Sequence, residues 1–387
     1  MLSRAWPTRQ VLRSLTTRAH FDSARYSSTF ATAKQHDPLR VLFCGADDFS
    51  IYSLRALHEL QQKRADKIAS IDVVYRPGKR YGRGMKKIRE LPIKEAATEL
   101  GLTLHEVDTF QDWTPPSPVD LIVTVSFGLL VPARIINEAK YGGLNVHPSL
   151  LPQLRGPAPI QHALLRELSH TGVTLQTMHP TRFDHGLILD QTKVAIPPLS
   201  QYRDLIKLLG PLGAQMLSAG IESGLFVPPL QDATKDASQL APSHAPKILP
   251  EARHIDWSTW SAGDIILRDR VLGRLWDTTT YDQCMRKVPE ASEVLVKGRS
   301  KRVTFSGPWA VDPSNDAYEN PNMQTEPGLP VLMSDREKTP LGILTVDRQV
   351  IRPAGVTVEG MSKTVGPWPR ITNVRTVNPK PLLPVDE

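Results

Sequence analysis

The sequence predicts an α/β chain: a Rossmann-like parallel sheet over its first two-thirds, then a small OB-like β-barrel. Three observations carry that expectation. From Leu39 onward, short apolar runs alternate with segments of helical spacing, the pattern of strand–helix–strand units. Past Val227 the chain turns Pro-, Ala-, Ser- and Lys-rich, and beyond that come short β-rich runs separated by Gly and Pro clusters. A length of 387 residues also exceeds what one hydrophobic core usually serves, so two domains are expected.

Residues 1–37 read as a leader. Arg4, Arg9, Arg13, Arg18, Arg25 and Lys34 stand against only Asp22 and Asp37, among many Ser and Thr, with Leu2, Trp6, Leu12 and Leu15 on one helical face. That is the composition of a mitochondrial transit peptide, and Arg25-Tyr26-Ser27 resembles a matrix-protease cleavage context. The expected location is the mitochondrial matrix. The leader holds +6 and −2, a net +4 of the chain's +7, so the remainder is only mildly basic and any case for nucleic acid depends on where charge sits.

Leu39–Cys44, Gly45 and the helical spacing of Ile51, Leu54, Leu57 and Leu60 give strand, turn and helix; the turn carries no GxGxxG, so a dinucleotide is not supported. A second strand, Ile71–Tyr75, enters Arg76–Arg89, which carries seven basic residues, no acid and three glycines. Such a stretch is either a solvated loop or a pliable strip of charge suited to phosphates. Pro92–Leu100 is expected to be helical, Thr103–Val107 a short strand, Asp120–Ser126 a buried strand, and Pro132 the start of another helix. Gln201–Glu222 reads as a helix pair or one helix broken at Gly210-Pro211. A linker is expected over 236–253 and a second domain over 254–387, with a helix at Gly263–Leu275, strands at Glu293–Lys297, Val303–Phe305, Leu341–Val346 and Gln349–Pro353, a basic turn at Lys297, Arg299, Lys301 and Arg302, and a variable loop at Asn315–Pro330.

Cys44 and Cys284 have no ligand spacing and imply neither a disulfide framework nor a metal site. No run approaches the roughly 18 apolar residues of a membrane span, and neither membrane nor metal is expected.

The chemistry concentrates in Gly143–Gln161, GLNVHPSLLPQLRGPAPIQ. Alternation at a strand end turns Asn145 and His147 to one side, and four prolines stiffen the loop that runs from there to a helix beginning at Ile160. Asp184 lies in HPTRFDHGLIL after the strand Gly172–Met178; on local grounds it is a turn residue. His179 and His185 lack ligand spacing and read as structural.

The string NVHPSLLPQLRG resembles the NVHxSLLPxxRG signature of the folate-dependent formyltransferases. Gly45–Phe49, GADDF, is similar to the family's GTPDF turn, departing at Ala46 and Asp47; Asp184 with Gly186 matches its D-x-G element; Ile255–Ser258 resembles the IDWS that opens the second domain of members acting on methionyl-tRNA. Leu275-Trp276-Asp277 departs from the family's Pro-Trp pair.

This resemblance implies a catalytic domain over 38–235 and a β-barrel that binds tRNA over 254–387. It implies 10-formyltetrahydrofolate as formyl donor, without a metal. Asn145, His147 and Asp184 are then the catalytic residues, with Asn145 and a ring N–H of His147 aimed at the oxyanion and Asp184 orienting the imidazole. Phe127, Gly128, Leu129, Ser149, Leu150, Leu151 and Pro152 would bind folate, and Arg155 and Gly156 would hold the loop to the sheet. Family members with a basic insertion use it on the acceptor stem, which assigns tRNA contact to Arg76, Lys79, Arg80, Arg83, Lys86 and Lys87. Methionyl-initiator-tRNA is the acceptor expected for a monomeric chain with that insertion, a second domain and an organelle leader. Glycinamide ribonucleotide, an amino sugar, or no reaction at all in a silent RNA-binding relative stay open as alternatives.

Overall fold

Strand β1 (Leu39–Gly45) runs through α1 (Asp48–Lys63) into β2 (Ile68–Tyr75), and β2 into a small hairpin of β3 (Lys79–Tyr81) and β4 (Lys87–Arg89). Next come α2 (Pro92–Glu99), β5 (Thr103–Glu106), β6 (Leu121–Val125), α3 (Ala133–Glu138) and β7 (Gly143–His147). Beyond the Pro-rich loop lie α4 (Pro159–Leu165), β8 (His170–Thr177), β9 (Ile188–Ala195) and α5 (Tyr202–Ser223). This computed structural model describes residues 33–233, 241–280, 301–311, 327–328, 330–331 and 342–360.

The strands form one seven-stranded sheet, β5-β2-β1-β6-β7-β8-β9. Its first five strands are parallel, as expected, but β8 runs antiparallel to both β7 and β9. The sheet is therefore mixed. The connection from β7 holds only the short α4 and brings the chain back along the adjacent edge in the opposite sense, where a parallel return would need a full crossover. One face packs on α1 and α5 through Val41, Phe43, Leu144, Val146, Val173 and Leu175; the other packs on α3 through Leu42, Cys44 and Ile122.

Helix α5 is continuous over 22 residues with Pro211 inside it, not broken at Gly210 as the sequence suggests. The missing Pro N–H costs one helix bond, but Leu205, Leu209, Met216, Leu217 and Ile221 are all buried. Gly210 lets the helix lie against Tyr52, where a Cβ would come within 2.3 Å of the ring. Burial of that face outweighs the local break signal.

The expected linker is not a free tether. Ser243 O accepts from Arg155 N, Ala245 N donates to Arg155 O at 2.7 Å, and Ala245 is fully buried. This strap pairs with the Pro-rich loop after β7.

The C-terminal part begins with α6 (Ala262–Leu272), whose N-cap Ser261 forms a reciprocal capping box with Asp264. The helix was expected to reach Leu275. It stops at Leu272 because Gly273 (φ 77°) turns the chain into β10 (Leu275–Asp277). With β11 (Val303–Val311), β12 (Pro330–Val331), β13 (Gly342–Leu344) and β14 (Val350–Val358), β10 makes an antiparallel sheet in the order β10-β11-β14-β13-β12. Among the described residues this sheet is what the expected barrel amounts to. Phe305, Ile343 and Ile351 join Ile265 of α6 in its core, while Val271 and Leu272 of the same helix enter the first core. The leader through residue 32, linker positions 236–240, the strand at Glu293–Lys297, Lys297, Arg299 and the 315–326 loop lie outside the described residues.

Pro211 is exposed within α5. Pro211→Ala is expected to stabilise the protein by about 1–3 kcal/mol, by restoring a helix bond and removing a helix breaker. A raised thermal-unfolding midpoint checks this; a lowered one would show that the ring itself is needed.

Candidate active site

The register of the sheet builds the site. Asn145 of β7 stands beside Thr124 of β6 and opposite Gln176 of β8. Thr124 Oγ1 donates to Asn145 Oδ1 at 3.1 Å, which directs the amide nitrogen the other way, where Nδ2 donates to Asp184 Oδ1 at 3.1 Å. Gln176 is fixed likewise: its Oε1 accepts from Gly186 N and its Nε2 donates to the same Asp184 Oδ1 at 3.2 Å. The second oxygen, Oδ2, accepts from Gly156 N at 2.8 Å, and Arg155 Nε donates to the Asp184 carbonyl at 2.8 Å. A carboxylate from one loop thus ties β7, β8 and the Pro-rich loop together.

Glycine is required at both approach points. A Cβ on Gly186 would lie 1.6 Å from Thr177 O, and one on Gly156 (φ 116°) 2.7 Å from Ala245 O. This is the physical content of the Gly in the D-x-G and RG elements. Ser126 (φ 49°), Leu154 (φ 59°) and Asp184 (φ 56°) hold left-handed conformations without being glycine, a strain that accumulates where the surrounding structure fixes a functional loop.

His147 is 5% exposed. Its Nε2 lies 3.0 Å from Leu154 O, an acceptor, so that nitrogen carries the hydrogen. Nδ1 faces Asp184 Oδ1 at 3.4 Å, and both side chains are under 10% exposed. This corrects one expectation: the Nε2–H is committed to the Leu154 carbonyl and not to an oxyanion, and the other ring nitrogen, Nδ1, is turned to the Asp184 carboxylate. Among the described residues, neither ring nitrogen pairs with a hydroxyl or thiol.

Asn145, His147 and Asp184 line a cavity of about 930 Å³, together with Phe127, Gly128 and Leu129. Among the described residues, the N–H groups of Phe127, Gly128, Leu129 and Leu130 enter no backbone–backbone hydrogen bond, so they can pair with a polar ring edge. Ser149, Leu150, Leu151 and Pro152, expected in the folate pocket, are not part of its wall. Ser149 donates to Gln153 O, Leu151 N donates to Thr174 Oγ1, and Ser149, Leu150 and Leu151 are buried beneath the loop. Pro148, Arg155, Pro157 and Pro159 of the same stretch supply the wall instead. His179 and His185, read as structural, line the cavity, as do His244 and the positively charged Arg182 and Lys247.

Asp47 is a wall residue that the sequence did not single out as functional. It caps α1, accepting from Ser50 N at 3.1 Å, and burial pushes its carboxyl up to about 6. Among the described residues no cation pairs with it. The signal was present in the sequence as the departure from GTPDF.

The basic insertion is a hairpin rather than a loop, with Lys79 opposite Arg89 and Tyr81 opposite Lys87. Lys79, Arg80, Lys86 and Lys87 are exposed, and Arg83 opens the turn between the strands. Arg76 differs: its guanidinium turns back to Asp108 at 3.0 Å, so it anchors the hairpin's base and has less to offer a partner. Among the described residues no three His, Cys, Asp or Glu side chains are arranged to hold a metal ion, and no helix is long and apolar enough to cross a membrane.

An amide donor, an imidazole and a carboxylate on one cavity wall, with no hydroxyl or thiol bonded to the imidazole among the described residues, equip the fold for direct transfer of an acyl-type group. The formyl transferase family model matches residues 39–219. The mitochondrial methionyl-tRNA formyltransferase of Saccharomyces cerevisiae is 35% identical over 304 residues, 68% of this chain and 75% of the relative. The human mitochondrial methionyl-tRNA formyltransferase is 33% identical over 245 residues, 62% of this chain and 59% of its own length. Among solved structures, a Shewanella sugar N-formyltransferase is 18% identical, covering 59% of this chain and 85% of that one with a TM-score of 0.45. The chain belongs to the formyl transferase family.

A carboxyl raised to about 6 when folded is ionised at neutral pH at the expense of the native state. That cost is present above pH 6, fades as pH falls from 6 toward 4, and is gone once the unfolded chain protonates too. Asp47→Asn, which keeps the cap, is therefore expected to stabilise the protein by up to about 3 kcal/mol at pH 7.5 and by nothing below pH 4. Parallel melting curves for both proteins read the difference; a gain that does not depend on pH would assign it to packing.

Proposed function

We propose that the protein transfers the formyl group of 10-formyltetrahydrofolate to the free α-amino group of methionyl-initiator-tRNA, for translation initiation in the mitochondrial matrix. The observation that carries the reading is the convergence of Asn145 Nδ2 and His147 Nδ1 on Asp184 at the wall of a cavity of about 930 Å³. That volume is near the top of the usual range for small-molecule sites, room for a donor and the end of an acceptor together. The names of the mitochondrial relatives support the acceptor and the compartment.

The reaction joins an uncharged amine to the formyl carbon, passes through a tetrahedral species with charge on oxygen, and ends when the C–N10 bond breaks and N10 takes a proton. Asn145 Nδ2 has one hydrogen on Asp184 and one left for the cavity, which makes it the oxyanion donor, on the order of 3 kcal/mol at the transition state. His147 Nδ1 takes the proton of the attacking amine. Asp184 then faces the imidazolium so formed, and its other donors keep it in place. Phe127, Gly128 and Leu129 would hold the pterin edge through main-chain groups.

Residues 38–235 would be the catalytic domain, 236–253 the connection, and 254–387 the tRNA-binding part of a monomer. The hairpin supports this. It comes directly after β2, which is parallel to β1 and β6, so it leaves the sheet at the same edge as the Asp47 and Phe127 loops. A tRNA lying along Lys79, Arg80, Lys86 and Lys87 would approach the cavity from that edge.

Purified protein with labelled 10-formyltetrahydrofolate is expected to formylate methionyl-initiator-tRNA and not glycinamide ribonucleotide. Labelling of the ribonucleotide alone would overturn the acceptor. Asn145→Ala and His147→Ala are each expected to lower kcat by about 100-fold or more with folded structure retained, and near-normal turnover in either would remove that residue from the mechanism. Replacing Lys79, Arg80, Lys86 and Lys87 together by Ala should lower the slope of log affinity against log salt by about 3, read by titrating tRNA at several salt concentrations. An unchanged slope would place the tRNA elsewhere.

A further inference from the structure

The N-terminus of α1 opens on the catalytic cavity, where Asp47 and Phe49 both line the wall. In an α/β sheet that position is the default seat for an anion, since free N–H groups and the helix dipole point at it. Here the seat is taken. The Asp47 carboxylate accepts from the amides of Ser50 and Phe49, and Ala46 N donates to Ser50 Oγ. Asp48 adds a second acidic side chain in the first turn. Tyr202, another wall residue, feels both carboxylates, and Ser126 hydrogen-bonds to Asp47. Arg182 and Lys247 line the same cavity and carry positive charge. The carboxylates of this corner nevertheless have no counter-ion among the described residues.

Distance ties the corner to the acceptor. Gly45 pairs with Val125, and Thr124 with Asn145, so the end of β1 is two strands from the formyl-transfer centre. Two strand spacings are roughly 10 Å, the reach of an amino-acid ester plus a ribose. We propose that Asp47 is a specificity-determining residue: it admits an acceptor whose far end is neutral and donates hydrogen bonds, and repels one bearing phosphate there. A 3′-aminoacylated terminal ribose, with hydroxyl and base N–H groups and its phosphate directed away, satisfies that corner. A 5′-phosphorylated ribosylamine does not. A dianion set against a partly buried carboxylate meets like-charge repulsion in a low-dielectric site.

The inference rests on the cavity being the formyl-acceptor site proposed above, and its test is a binding measurement separate from turnover. Ribose 5-phosphate is titrated into the full chain at pH 7.5, with ribose as the uncharged control. Asp47→Asn and Asp47→Ser both keep a capping side chain and remove the charge. In both, the Kd for ribose 5-phosphate is expected to fall at least tenfold, about 1.4 kcal/mol, with ribose binding unmoved. Asp47→Glu, which keeps the charge, should bind ribose 5-phosphate as weakly as the unaltered protein. Equal affinity across the unaltered chain and the two neutral variants overturns the proposal, as does a matching gain for ribose. Failure to formylate methionyl-tRNA would instead overturn the acceptor reading, whatever the titrations show.

Discussion

The site depends on how one carboxylate is held. Asp184 receives Asn145 Nδ2, Gln176 Nε2 and Gly156 N, all from uncharged groups, and the Nδ1 of His147 lies 3.4 Å away. Each donor comes from a different piece of chain: β7, β8 and the Pro-rich loop. Since a buried charge is tolerated only when its lone pairs are filled, moving any one of these pieces leaves it short of a partner. The same contacts that settle the carboxylate thus set the spacing between amide and imidazole.

That constraint spreads outward. Gly156, which gives its N–H to Asp184, lies so close to Ala245 that a Cβ would meet its carbonyl oxygen, and Ala245 belongs to the strap that leads to the second sheet. Helix α6 then places Ile265 in the second core and Val271 and Leu272 in the first. A shift of the C-terminal part would therefore be felt at the loop that holds the Asp184 carboxylate. The strap itself closes the cavity wall through His244 and Lys247.

How much of this was legible in the sequence varied with the range of the interaction. Alternation along β7 placed Asn145 and His147 on one side, and the D-x-G match found Asp184, because both signals are local or carried by a family string. Gln176 was invisible: its role comes from lying opposite Asn145 across an antiparallel pair, and no spacing within one strand announces that. The strap at Ser243–Ala245 was read as a linker because its bonds to Arg155 are all main chain, independent of side-chain identity. Ser149–Leu151 misled in the opposite way. They belong to the signature, but their task is under the loop, where Leu151 N and Ser149 O both meet Thr174 Oγ1. In α5, Gly210-Pro211 gave a strong local stop signal that burial of one whole face overrode.

The division of labour within the trio comes from the same geometry. Leu154 holds a left-handed conformation (φ 59°) that brings its carbonyl to His147 Nε2, fixing the tautomer at the far side of the ring from Asp184. An imidazole so fixed has its Nε2–H taken by the Leu154 carbonyl and its Nδ1 turned to the Asp184 carboxylate, so that N–H is not available to a developing oxyanion. In the proposed reaction the oxyanion would then be met by the amide, whose orientation Thr124 sets from behind. Asn145 would supply a preorganised donor that needs no change of protonation, while His147 and Asp184 would handle the proton, so that charge on oxygen and charge on nitrogen would be met by separate groups. Separating them lets each be held rigidly, and rigidity in donors aimed at developing charge is what lowers a barrier without reorganisation at the moment of reaction.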